Sequence, residues 1–474
     1  MDMHKQLLPL FFLIAGFTAS AQTDTITFTK ISGYEFDHPF LPYSAYTSIF
    51  NASGAPFIYA ACRELGLVTF DISDIDNPIP VDTIPQLSLH NLKPTNVSQN
   101  GNYLYAALGG FDGLFPQSAG IAILDLDDPA HPAINDIWDS TAFNQGAAIA
   151  ISDGEFAYIG AMDRGVIILN VSNKSNIKFI SSVLPDPNFP EAPDLFSTPN
   201  ARGLCLYGTD KLMVANDAGG LRMIDISDKE NPVEIGKYAN EGIESIAQSA
   251  YNNVVVVDHY AYIPVDMCGL DVVDIADENM ETVYWYNPWD CDSSNWVGRP
   301  GHTNEIKLRG DSLLFVSGGD SEVLAFDITD RENPKLVGEY ANVYDSIVAW
   351  ALDIRDNYVS LALVNNEFLG IPYYSNIGGI YILEMNLVPY VDIINSDFDK
   401  QICNIVPNPA DAFIKIKTNA AWQYLEIYDL SGKLQLKSEM ENTIDIQNIS
   451  PGIYFLKLFG SENEMIGATS FIRK

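Results

Sequence analysis

Short apolar or alternating runs recur along this chain, each bounded by turns rich in Asp, Asn, Gly and Pro. Runs of that length with such boundaries predict β-strands, not helices. One run keeps its spelling. It reads "GLVTFDIS" (66–73), "GIAILDLD" (120–127), "GVIILNVS" (165–172), "GLRMIDIS" (220–227), "GLDVVDIA" (269–276), "EVLAFDIT" (322–329) and "GIYILEMN" (379–386). From Asp71 to Glu384 the copies follow one another at about 52 residues, near the period of propeller blades.

A second strand precedes each copy, as in "FIYAAC", "FAYIGA" or "KLMVAN", and a further apolar strand stands before that across a tight turn. After the clearest copies comes "SDIDNP", "SDKENP" or "TDRENP", then an outer strand such as "PVEIGKY". Four strands per unit over residues 22–386 predict an all-β, seven-bladed β-propeller. The Asp-rich turn is its reversal between third and fourth strands, where side chains hold local N–H groups and Pro fixes φ. It lacks the ligand spacing and central Gly of a calcium-binding EF-hand loop. The seventh copy lacks an outer strand, and "TITFTKISGYEF" (25–36) supplies one, so the N-terminal segment is expected to close the ring and remove a free edge. The repeated unit resembles the LVIVD repeat, whose members are β-propellers of bacterial cell surfaces. The resemblance covers roughly residues 25–386.

Beyond a linker at 387–402 the pattern changes. Residues 403–474 alternate apolar and polar positions around turns at 429–432 and 450–452, predicting a small antiparallel β-sandwich. Pro407, Asn408, Pro409, Asp429, Gly432, Pro451, Gly452, Ile453, Tyr454 and the terminal Arg473-Lys474 follow in order. Together they resemble the type A sorting domain of the Bacteroidetes type IX secretion system. The resemblance implies handling by that machinery, export through the periplasm, and delivery to the outer-membrane surface or the medium.

Residues 1–21 read as a signal peptide: Lys5 in a short basic region, an apolar stretch from Leu7 to Phe17, and Ala19-Ser20-Ala21 as the cleavage site. No other segment approaches the ~20 apolar residues of a membrane-spanning helix. The net charge of −36 is uneven, since residues 403–474 carry eight acids against seven bases. Nearly all the excess acid therefore lies in the repeat region, which disfavours nucleic acid and anionic lipid as partners. Five cysteines permit two disulfides, and no CxxC suggests zinc.

Candidate chemistry gathers where the repeat is interrupted. Second-to-third-strand turns and inter-blade loops share one face of a propeller, and the long insertions at 109–120, 184–202, 285–305 and 365–379 all fall there. The 285–305 loop holds Trp285, Trp289, Trp296, Arg299 and His302, a ligand-binding set suited to stacking on sugars or peptide side chains. Cys268 lies on the same face within reach of Cys291. Acids at Asp163, Asp217, Asp266 and Asp320 recur near the mouth, where calcium is the cofactor that converging carboxylates would suit. The leading expectation is a binding module for an extracellular glycan, peptide or envelope protein. The alternative is a metal-assisted hydrolase or lyase using His302 and Glu305. No GxSxG, HExxH, P-loop or dinucleotide fingerprint is present.

Overall fold

The computed structural model describes residues 25–36, 43–110, 117–140, 146–190, 199–243, 250–289, 291, 302–318, 322–340, 347–366, 375–388, 404–406, 408–418, 421–429, 433–441, 443–461 and 465–474. They form two compact units, one ending at Val388 and one made by the C-terminal segment.

Among the described residues the first unit, a β-propeller, has five four-stranded antiparallel sheets and one eight-stranded sheet, in which two further four-stranded sets, taken here as blades 6 and 7, are joined by a parallel contact between Ile26 and Gly338. In blade 4 the strands are Pro199–Tyr207, Lys211–Asp217, Leu221–Asp225 and Val233–Tyr238, paired in sequence order from the channel outward. The second and third strands are almost wholly buried, because adjacent blades cover both of their faces. One such layer packs Tyr158 and Ile168 of blade 3 against Leu204, Leu212 and Ile224 of blade 4. Fourth strands alternate exposed and half-buried positions, as an outer edge requires.

The recurring Asp-rich turn holds itself and its neighbour. Asp225 Oδ1 accepts the Ser227 N–H at 2.8 Å, and Asp228 Oδ1 accepts that of Glu230 at 3.0 Å. The same pattern returns at Asp71, Asp274 and Asp327. Where the preceding blade has a tyrosine in its second strand, the turn abuts it. Tyr59 donates to Pro129 O at 3.0 Å, Tyr262 donates to Arg331 O at 3.0 Å, and Lys229 Nζ stands 6.0 Å over Tyr158.

Strand Thr25–Glu35 is the outer strand of blade 7. It pairs antiparallel with Gly379–Val388 from Thr25↔Val388 to Glu35↔Gly379, so that strand runs two residues past Asn386. Ile26 also meets Gly338 of blade 6, and Ser32 donates to Ile75 O of blade 1 at 2.6 Å.

The second unit stacks a three-stranded and a four-stranded sheet around Ile414, Leu425, Ile427, Leu456 and Phe471. The stretch containing the remaining linker residues, 389–403, lies outside the described residues.

Candidate functional site

The mouth of the channel is built by one hairpin repeated with variation. In blades 1, 3, 4 and 5 the second strand leaves through a residue of positive φ, Arg63 (46°), Met162 (52°), Asp217 (50°) or Asp266 (21°). The turn closes three residues later on Gly66, Gly165, Gly220 or Gly269, each with φ above 70°. In three of these hairpins the positive-φ residue is stitched to the next blade's inner strand. Met162 and Ala201 exchange backbone hydrogen bonds, as do Asp217 and Tyr251, while Thr303 N donates to Asp266 O. Asp217 and Asp266 thus share a position. Asp163 does not: it follows the stitched residue, and its side chain is exposed. Asp320 lies outside the described residues.

Asp266 is 3 % exposed, accepts Asn252 Nδ2 at 2.7 Å, and has His302 Nδ1 at 3.3 Å. Burial pushes its carboxyl up to about 7, opposed by Arg202 and Asn252. Burial likewise holds the His302 imidazole down to about 3, with Arg202 adding to the effect. The half-buried Asp217 is raised by desolvation against the pull of Arg202 and of Asn200, whose Nδ2 lies at 3.3 Å. The charge these carboxylates meet is therefore the Arg202 guanidinium. Among the described residues no three His, Cys, Asp or Glu side chains group as metal ligands. Calcium's usual six to eight oxygens are not assembled by Asp217 and Asp266.

Inside the mouth, residues at or beside the inner strands of all seven blades line a cavity of about 40 Å³, Arg202 from blade 4 and two neighbouring residues from each of the others, such as Asn252 and Asn253 or Asn304 and Glu305. Glu305 accepts Asn253 Nδ2 at 2.5 Å and lies 3.9 Å from Lys307 Nζ. Lys307 is raised by Glu305 and Asp353 despite the opposing effect of burial, which is its largest single influence. Asn304 Nδ2 donates to Trp350 O at 2.6 Å. His302 is not part of this lining. Its ring packs on Trp350, centroids 5.4 Å apart.

The aromatic loop is anchored more than displayed. Trp285 Nε1 donates to Cys268 O at 2.7 Å, and its ring is half-buried against the core of blades 4 and 5. Trp289 packs beside the cluster of Tyr262, Leu270 and Phe326. Cys268 and Cys291 form a disulfide with Cα atoms 4.9 Å apart. Trp296 and Arg299 lie outside the described residues.

Two anchors escape a pattern reading. At the third-strand position occupied by Val68, Ala122 and Ile167 in other blades stand Arg222 and Asp271, both fully buried. Arg222 donates to Glu234 Oε1 at 2.6 Å, Gly219 O at 2.8 Å, Phe189 O at 2.8 Å and Asp186 O at 3.2 Å. Asp271 accepts from Tyr238, Asn240 and Tyr251, and desolvation lifts it to about 6. A charged residue inside an otherwise apolar run was the available signal.

In the C-terminal unit Asn408 Oδ1 accepts Ile472 N at 3.0 Å beside a cis Asn408–Pro409 bond, and Tyr454 donates to Ser450 O at 2.7 Å. Pro451 is exposed and Gly452 half-buried against the Tyr454 ring. Pro407 and Gly432 lie outside the described residues.

The LVIVD repeat model matches residues 146–184, 201–240 and 250–279, three consecutive blades. The secretion system C-terminal sorting domain model matches 404–469. No curated protein matches the chain. Among solved structures, the RRP9 WD40 repeats align at a TM-score of 0.52 and 11 % identity, covering 77 % of this chain and 99 % of that one. U3-55K aligns at 0.52 and 10 %, covering 75 % and 98 %. At that identity the likeness is one of fold. Among the described residues no helix is long and apolar enough to cross a membrane. The chain thus carries LVIVD repeats on a β-propeller and a type IX secretion sorting domain, which sends it to the cell surface or the medium.

Proposed function

We propose that this exported propeller acts outside the cell as a binding module, with its ligand entering the channel mouth on the hairpin and inter-blade-loop face. The observation that carries this reading is the cavity where inner strands of all seven blades meet: it is lined by Asn96, Arg202, Asn252, Asn253, Asn304 and Glu305 instead of being closed by apolar side chains. Buried polar groups cost stability unless they are satisfied. Several of them converge here on one concave space beside the rings of Tyr46 and Trp350, an arrangement that suits recognition. Glycans, peptides and envelope proteins are the ligand classes open to such a mouth.

The test is to probe glycan and peptide arrays with the full chain and with Ala148→Phe, which places a ring in the cavity. Loss of a defined set of bound spots in the variant, at unchanged thermal stability, supports the reading. Identical binding patterns would overturn it.

A further inference from the structure

The cavity wall carries charge at two points. Among the described residues that line it, Arg202 is the one cation and Glu305 the one anion. Ala201 packs into the layer between blades 3 and 4, and strand alternation turns the half-buried Arg202 away from it. Asp217 and Asp266, at the second-strand ends of blades 4 and 5, and His302, at the entry to blade 6, all feel the Arg202 charge. None of those three lines the cavity, so Arg202 is shared between them and the open space. On Glu305, Asn253 Nδ2, Ile306 N and Lys307 Nζ all meet Oε1, while Oε2 accepts no hydrogen bond among the described residues and stays accessible. The rings of Tyr46 and Trp350, centroids 5.5 Å apart, are part of the same wall. Arg63 donates to the Tyr46 hydroxyl at 2.7 Å, and Arg63 and Lys93 meet Glu64 at 3.6 and 2.8 Å, so two further cations converge on one carboxylate beside that ring.

Resting on the reading of the mouth as a binding site, we propose that its ligand is a glycan bearing an acidic sugar, whose carboxylate meets the Arg202 guanidinium while its ring lies beside Tyr46 and Trp350. A guanidinium fork matches a carboxylate bidentately. Sugar hydroxyls donate as well as accept, so the same residue can fill Glu305 Oε2. An acidic peptide side chain brings the carboxylate without that donor. A cationic ligand would meet Arg202 in the wall, and a neutral sugar would gain nothing from its charge. The acids behind Arg202 do not forbid an anion, because the Asp266 carboxyl is pushed up to about 7 and takes a proton as the ligand enters. The other groups facing it are Asp217, the His302 imidazole and the Asn252 amide. Ligand entry is then coupled to proton uptake. The chain's −36 charge opposes any anion at long range, which leaves affinity to these local contacts.

The experiment probes an array of uronic and sialic acid oligosaccharides, each beside its carboxyl-reduced and sulfated counterparts, with the full chain. Binding to a set of acidic sugars, with the carboxyl-reduced partners at least about tenfold weaker, is the expected result. Calorimetric titration of the best binder should show affinity rising up to about tenfold from pH 8 to pH 6, as Asp266 fills with protons. Arg202→Lys, which keeps the charge and loses the fork, and Glu305→Gln should each weaken binding about tenfold. Asp266→Asn should bind at pH 8 as tightly as wild type does at pH 6, a gain that a damaged fold would not give. Equal binding of acidic and carboxyl-reduced sugars, or a preference for the sulfated ones, overturns the carboxylate assignment. If no acidic sugar binds while neutral glycans, acidic peptides or free amino acids bind and are lost with Ala148→Phe, the acidic-sugar assignment fails and the binding-module reading stands. If no ligand class responds to Ala148→Phe, both fail.

Discussion

Arg222 and Asp271 occupy the same third-strand position in consecutive blades, and each fastens the inter-blade segment that precedes its own blade. Arg222 reaches the carbonyls of Asp186 and Phe189, and Asp271 collects Tyr238, Asn240 and Tyr251. The position faces the preceding blade: Val68 and Ile167 meet apolar side chains of blades 7 and 2 there, whereas Arg222 and Asp271 find partners in the segment that leads into their own blade. Removing one partner of a buried charge is expensive because the others remain buried. Arg222→Met should lower unfolding free energy by about 3 kcal/mol. Asp271→Leu, which takes the acceptor from the Tyr251 hydroxyl and the Asn240 amide and leaves Tyr238 only Thr282, should cost a similar amount. Denaturant midpoints would measure both, with Ile167→Val as the reference at about 1 kcal/mol. Losses no larger than the reference would show that the loops hold themselves.

Asp266 and His302 impose opposite pH dependences on the same mouth. The Asp266 carboxyl is raised to about 7, so its contribution to stability is full below its unfolded pKa and is lost as pH rises from about 4 to about 7. The His302 imidazole is lowered to about 3, so its contribution is full above about 6.5 and is lost as pH falls toward 3. Each variant should therefore uncover the other residue. His302→Gln should make the protein less stable at pH 6.5 than at pH 4.5, and Asp266→Asn should do the reverse, each relative to wild type by roughly 2–3 kcal/mol. Chemical unfolding at the two pH values measures this. Parallel curves for the two variants would contradict it.

The propeller was legible because each blade repeats one strand and one turn, and repetition survives the loss of any single residue. The Asp-rich turn is spelled out at Asp71, Asp225 and Asp327, and in the structure it is both a local reversal and the contact with the preceding blade. The mouth was only half legible. Asp217 and Asp266 do share a stitched position, three residues before the closing glycine, but Asp163 stands only two before Gly165, and the stitched position there is Met162. Of the cavity side chains only Glu305 stands out in the sequence, because inner strands are short and irregular: Asn96, Arg202 and Asn252 carry no repeat spelling, and their meeting depends on ring closure. Trp285 looked like display because its anchor, the Cys268 carbonyl, belongs to backbone that no side-chain pattern announces.

The hairpin glycines separate conformational from steric cost. Gly220 has φ of +76°, and a Cβ there would lie 2.1 Å from the Tyr238 carbonyl oxygen. Gly101, with φ of +58°, would place its Cβ in open space. Gly101→Ala should cost only the left-handed penalty, about 1–2 kcal/mol. Gly220→Ala must also push apart the third and fourth strands of blade 4, and should cost at least about 2 kcal/mol more. Equal losses in thermal or denaturant unfolding would mean that the turn relaxes freely.

Ring closure depends on a strand that the sequence places at the far end of the unit. Thr25–Glu35 completes blade 7, touches blade 6 through Ile26 and Gly338, and reaches blade 1 through Ser32 and the Tyr34–Phe70 ring contact at 5.5 Å. It therefore belongs to three blades at once, and Ile26 is 2 % exposed. Deleting residues 25–35 would strip the outer neighbour from strand Gly379–Val388 and expose its edge. The melting temperature should fall by roughly 10 °C or more, given the few degrees that each kcal/mol is worth in a unit of this size. Ile26→Asp should give a smaller fall of the same kind, since it buries a charge but leaves the backbone pairing in place. The C-terminal unit, whose core shares no residue with the propeller's clusters, should keep its own transition in both variants. A deletion that melts with wild type would show that the seven blades hold their ring without the strand that closes it.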